Sequence, residues 1–108
     1  MSKITVEVLE SLQKEVNKSE PKIKKLFDKQ KRFMELNAWY PSLGRTKLQG
    51  VCDKYDDPLW EIRLNKKDRI VFVERDNGDR VIWLKIIDHD SLARKNTIHA
   101  KGNYKDTP

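Results

Sequence analysis

Cysteine is almost absent from this chain, and that scarcity excludes several chemistries at once. Cys52 stands alone, so no intrachain disulfide can form and no cysteine-rich metal cluster can be built. Without a histidine or second cysteine at ligand or catalytic spacing, Cys52 reads as a small, buried or half-buried residue rather than a nucleophile or metal ligand. No motif calls for a cofactor. Long apolar runs are missing as well, and none approaches the ~20 residues that span a bilayer. The opening MSKITVEVLE lacks the basic-then-apolar pattern of a secretion signal. These absences predict a soluble cytoplasmic protein without membrane association.

What is abundant is charge. The 108 residues carry a formal +6, which suits an anionic partner, either nucleic acid or an acidic protein. Residues 1–37 hold nine Lys/Arg against six Asp/Glu, and residues 91–108 hold four against one. Residues 60–90 balance seven against seven. A basic site there requires charges to be sorted between faces.

The length is that of one domain, expected over residues 1–100, with 101–108 as a frayed tail. Ile4, Val6 and Val8 alternate in a short strand that passes into a helix near Glu10. Ser19 and Pro21 suit the start of a second helix, whose stripe is Ile23, Leu26, Phe27, Phe33, Met34 and Leu36. Lys22, Lys24, Lys25, Lys29, Lys31 and Arg32 occupy its remaining faces, either as a solvated surface or as a footprint for RNA. Asn37 and Pro41 end it. Residues 38–59 read as a linker pinned by Leu43, Leu48, Val51 and Tyr55. Arg45 and Lys47 within it are placed for phosphate contact or for an ordinary polar loop.

Residues 60–89 contain three β-rich segments, WEIRLN, RIVFVER and DRVIWLKIIDH. An Asn77–Gly78 turn would set Arg75 opposite Arg80 and Asp76 opposite Asp79, both unfavourable. A three-residue loop at Asp76–Gly78 instead pairs Glu74 with Arg80. That register sends Ile70, Phe72, Ile82, Leu84 and Ile86, with Trp60, Ile62 and Leu64, toward the helices. The opposite face then carries Glu61, Arg63, Arg69, Lys85 and His89, with Val71, Val73, Val81, Trp83 and Ile87 between them. Such a face could grip phosphate through guanidinium forks while Trp83 stacks on a base. It could equally seat another protein. The expected fold is α+β: a small twisted antiparallel sheet, made of the N-terminal strand and a three-stranded C-terminal meander, with two helices on one face.

In order, the N-terminal strand, the basic helical pair, the loop containing Lys47, Leu48 and Gly50, then W-E-I-R-x-N, D-R-I-V-F and a strand ending I-x-H resemble the RelE/ParE toxin superfamily. The resemblance spans most of residues 3–95 and is strongest from Leu48 to Arg94. It implies the toxin of a bacterial toxin–antitoxin module, neutralised by an acidic antitoxin, in some cases within a higher-order complex. RelE-like members cut mRNA on the ribosome by attack of the ribose 2′-hydroxyl on its adjacent phosphate. ParE-like members poison DNA gyrase instead, and the same fold could also serve as a non-catalytic binding module. For the RelE-like branch the resemblance implies Arg63 and Arg69 on the scissile phosphate, His89 for proton transfer, Glu61 as a base and Lys85 as a charge stabiliser. Lys47 stands where several members place a basic loop residue; with Arg45 and Trp83 it is expected on RNA, and the basic helix on rRNA. Ala93 stands where some RelE-like nucleases place an aromatic.

Overall fold

The computed structural model describes residues 3–88 and 103–104. Its order is β1 (Thr5–Val8), α1 (Glu10–Asn17), α2 (Pro21–Leu36), β2 (Thr46–Asp53), β3 (Pro58–Arg63), β4 (Asp68–Arg75), β5 (Arg80–Asp88) and β6 (Asn103–Tyr104). The described strands form one six-stranded sheet in the order β1-β5-β4-β3-β2-β6. The α+β class is as expected, with both helices on one face. The sheet is larger than the sequence indicates and not wholly antiparallel, because β1 pairs parallel with β5 and β6 parallel with β2.

Both additions have local causes. The expected linker contains β2, whose alternation is broken by Gly50 at φ 71° and by a register shift between Lys47 and Cys52. A left-handed glycine in a bulge hides a strand from a period-two reading. In the stretch expected to fray, Asn103 and Tyr104 pair with Cys52 and Asp53. Main-chain pairing at an open sheet edge needs no apolar pattern.

α2 starts with Pro21 in its first turn, after Glu20 rather than Ser19 as N-cap. The Ser19 hydroxyl instead donates to the Glu15 carbonyl, at the end of α1. Phe27, Gln30 and Met34 are the residues of α2 that become buried, the i, i+3, i+7 spacing of one helix face. Leu36, expected on that stripe, is 64% exposed.

The β4–β5 register differs from the predicted one. Arg75 does lie opposite Arg80, with Phe72 opposite Trp83, around a loop in which Asp76, Asn77 and Gly78 all have positive φ. Aspartate and asparagine tolerate this conformation better than most side chains. The like-charge penalty is offset by carboxylates from elsewhere in the chain. Arg75 bridges Asp53 and Asp57, while Arg80 bridges Glu7 at 2.8 Å and Asp76 at 3.1 Å.

A bulge then restores the parity. Phe72 pairs with Trp83 but Val71 pairs with Lys85, so Leu84 is the extra residue of β5. Before the bulge, Val81 and Trp83 face the helices, while Ile82 and Leu84 join Leu48, Leu59, Val71, Val73 and Ile87 in a second cluster. After it, Ile86 points to the helices and Lys85 away, as expected. Trp83 is fully buried, edge-on to Phe27 at a centroid distance of 5.0 Å, and its indole Nε1 donates to Met34 Sδ at 3.2 Å. It is a core residue and cannot stack on a base. Val71 and Val73 are likewise fully buried, so the face away from the helices holds a second core rather than an open apolar surface.

Asp53 locks the turn after β2. Its carboxylate is inaccessible to solvent, receives Arg75, and accepts the Tyr55 and Asp57 amides at 2.9 Å each. Burial acts to raise its pKa, but the hydrogen bonds from Asp57, Arg75 and Tyr55 together hold it below the usual carboxylate value. A depressed folded-state pKa contributes stability above the unfolded value of about 3.9, which is lost as pH falls through the folded value. Chemical denaturation from pH 7 to pH 2 is therefore expected to show a stability loss below about pH 4. In Asp53→Asn that loss should shrink, at a cost near neutral pH of about 3–5 kcal/mol for breaking the buried pair.

Candidate functional site

The sheet places two cross-strand arginine pairs at opposite ends of β4. One, Arg75 with Arg80, is neutralised as described above. The other is Arg63, the last residue of β3, opposite Arg69 near the start of β4. Arg69 lies in turn opposite Ile87, and Val71 lies between Glu61 and Lys85. Adjacent rows of the face away from the helices thus carry Arg63, Arg69 and Lys85 around Glu61. Arg63 and Lys85 are exposed, and Arg69 and Glu61 partly so. Among the described residues none of the three cations makes an ion pair. Directly opposed like charges destabilise a sheet, and among the described residues no ion pair takes up either arginine.

The local backbone holds these groups in place. Asn65 Oδ1 accepts the amides of Lys67 and Asp68, at 2.8 and 2.7 Å, and closes the β3–β4 turn. Arg69 spends Nη1 on the carbonyls of Asn65 at 2.9 Å and Asp68 at 3.1 Å. One terminal nitrogen is thereby fixed to the turn. Gly44 precedes β2 and, by extension of the Thr46–Glu61 and Lys47–Trp60 pairs, falls opposite Arg63. A Cβ placed on Gly44 would lie 3.4 to 3.6 Å from Nη2, Cζ and Nε of Arg63. The guanidinium plane therefore lies flat against the glycine.

Three other residues expected at the site are elsewhere. Arg45 has a side chain only 2% exposed and ion-pairs with Glu74 at 2.9 Å. Its guanidinium carbon sits 4.0 Å from the Trp39 ring centre, 4.1 Å from Trp60 and 5.1 Å from Phe72. Those rings form a box whose contents are structural, so Arg45 is not available to phosphate. Trp83 is in the core. Lys47 is exposed but registers with Trp60, on the face opposite to Arg63. His89, the C-terminal helix expected from Ser91, and Ala93 lie outside the described residues. Cys52 keeps its proton at neutral pH, because burial first and the Asp56 carboxylate second raise its pKa.

Sequence reasoning missed Gln30, Gly44 and the aromatic box. Gln30 sits on the same helix face as Phe27 and Met34, which was a usable signal. The box joins positions far apart in sequence and has no local signature.

Two helices on one face of this sheet, with β1 parallel to β5 at one edge and the β3–β5 meander at its centre, make a fold shared with solved structures of RelE and YoeB/ParE toxins. No family model and no curated protein matches the sequence of the chain. A chain of the archaeal RelE–RelB complex from Pyrococcus horikoshii superposes with a TM-score of 0.64 at 16% identity, covering 80% of this chain and 94% of that one. The YoeB/ParE toxin from Agrobacterium tumefaciens gives 0.63 at 12% identity, covering 80% and 99%. The RelBE2 toxin–antitoxin complex of Mycobacterium tuberculosis gives 0.55 at 14%, covering 82% and 94%.

Proposed function

We propose that this chain is the toxin of a bacterial toxin–antitoxin module and a ribosome-dependent mRNA endoribonuclease. The observation that carries this reading is the directly opposed Arg63–Arg69 pair, exposed or partly exposed and in no ion pair among the described residues. The same sheet ion-pairs Arg75 and Arg80 with carboxylates and forms no such ion pair with this second pair among the described residues. A fold tolerates such a conflict where an external anion resolves it, and a phosphodiester between two forked guanidiniums does so.

In the reaction, the ribose 2′-oxygen bonds to the adjacent phosphorus and the bond from phosphorus to the 5′-oxygen breaks. A cyclic phosphate and a free 5′-hydroxyl result. Arg63 and Arg69 hold the non-bridging oxygens and oppose the charge gained in the transition state. Lys85 adds to that field. Glu61 takes the 2′-hydroxyl proton, and His89, with its near-neutral reference pKa, returns one to the leaving oxygen. The lysine-rich faces of α2 contact rRNA, and an acidic antitoxin neutralises the toxin.

Controlled expression in a bacterial host tests this. Amino-acid incorporation should collapse within minutes while plasmid supercoiling and chromosomal DNA stay intact. Loss of supercoiling with DNA breaks would instead identify a gyrase poison. Normal growth would leave only a binding role.

A further inference from the structure

We infer that Gln30 is a positioning residue for Arg63, an inference that rests on the reading of this site as RNA-cleaving. Gln30 is the one polar residue on the buried face of α2. It is 6% exposed between Phe27 and Met34, both buried against Trp83. An apolar side chain would fill that position without the cost of burying an amide. The amide has a specific job: Nε2 donates at 2.5 Å to the backbone carbonyl of Arg63, 33 residues away. The bond ties the last peptide of β3 to the helix, on the side of the sheet opposite to the site. From that fixed main chain the Arg63 side chain projects to the other face and lies flat on Gly44. Arg63 is thus set from two directions, its carbonyl from beneath by Gln30 and its guanidinium from beside by Gly44.

A charged group acts on a transition state only as well as it is placed, and a displacement near 1 Å can cost on the order of a hundredfold in rate. Gln30→Leu keeps the volume and removes the donor. In single-turnover cleavage of mRNA on programmed ribosomes, Gln30→Leu is expected to slow the cleavage step about ten- to a hundredfold. The ribosome concentration for half-maximal rate should not change.

The same substitution in an Arg63→Ala background should cost nothing further, because Gln30 acts through Arg63. Equal losses in both backgrounds would show that Gln30 supports the fold generally, and would overturn the inference. A second measurement does not depend on cleavage. NMR relaxation should show the Arg63 and Leu64 amides gaining mobility in Gln30→Leu while the rest of β3 and β4 stays rigid. Unchanged relaxation at those amides would also overturn it, even for a toxin that cut no RNA. Gln30→Met, which is more adaptable in a core, serves in both arms if Gln30→Leu does not fold.

Discussion

Arg63→Ala is expected to abolish toxicity while leaving the protein as stable as the wild type. Removing one pre-organised donor from a developing oxyanion costs about 10²–10³-fold in rate, enough to restore growth under induction. The fold should not register the change. Arg63 is exposed, pairs with no described carboxylate, and its loss relieves the repulsion with Arg69 opposite. Substitutions of that kind fall within about 0.5 kcal/mol.

Arg69→Ala should silence the toxin as well, yet it is the poorer diagnostic. Arg69 Nη1 also holds the β3–β4 turn through the Asn65 and Asp68 carbonyls. Losing those bonds should cost about 1–2 kcal/mol, so inactivity and destabilisation arrive together. Arg63→Lys keeps the charge without the planar fork and should retain intermediate activity. Growth assays paired with thermal melts separate these outcomes.

Arg45→Ala is expected to do the reverse, damaging the fold directly and activity only through it. The substitution empties a box walled by Trp39, Trp60 and Phe72 and strands Glu74. Breaking such a buried pair costs about 3–5 kcal/mol, a large share of the 5–15 kcal/mol typical of a whole domain. The melting temperature should fall by on the order of 15 °C. Arg45→Lys should recover only part of this, since an ammonium cannot present a flat guanidinium to two rings. An exposed phosphate ligand would behave differently, with unchanged melting and lost activity. Circular-dichroism melts of the two variants decide between them.

The α+β class, the first helix and the strand before it were legible from spacing alone. So was the side on which Glu61, Arg63, Arg69 and Lys85 fall. Lys85 reached its expected face by an unexpected route. The register near the turn is shifted by one residue, and the extra residue Leu84 shifts it again before Lys85. The register was misread because like charges at Arg75 and Arg80 looked prohibitive. The carboxylates that relieve them come partly from Glu7, Asp53 and Asp57, far away in sequence and invisible to a local rule. The same shift turned Trp83 from a surface platform into a core side chain. Arg45 misled for a related reason, because a basic residue beside a glycine looks solvent-facing until distant rings close around it. Local pattern thus specified the helices and the strands other than β2 and β6, and long-range pairing decided which charges the interior consumed.

Mapping 5′ ends of cellular transcripts by primer extension, minutes after induction, tests the nuclease claim most directly. New ends should appear inside translated reading frames and carry a 5′-hydroxyl. They should vanish both in Arg63→Ala and when the same transcript is made untranslatable. A toxin that stops growth without producing such ends, or produces them equally with Arg63→Ala, would contradict the assignment of RNA cleavage to this face of the sheet.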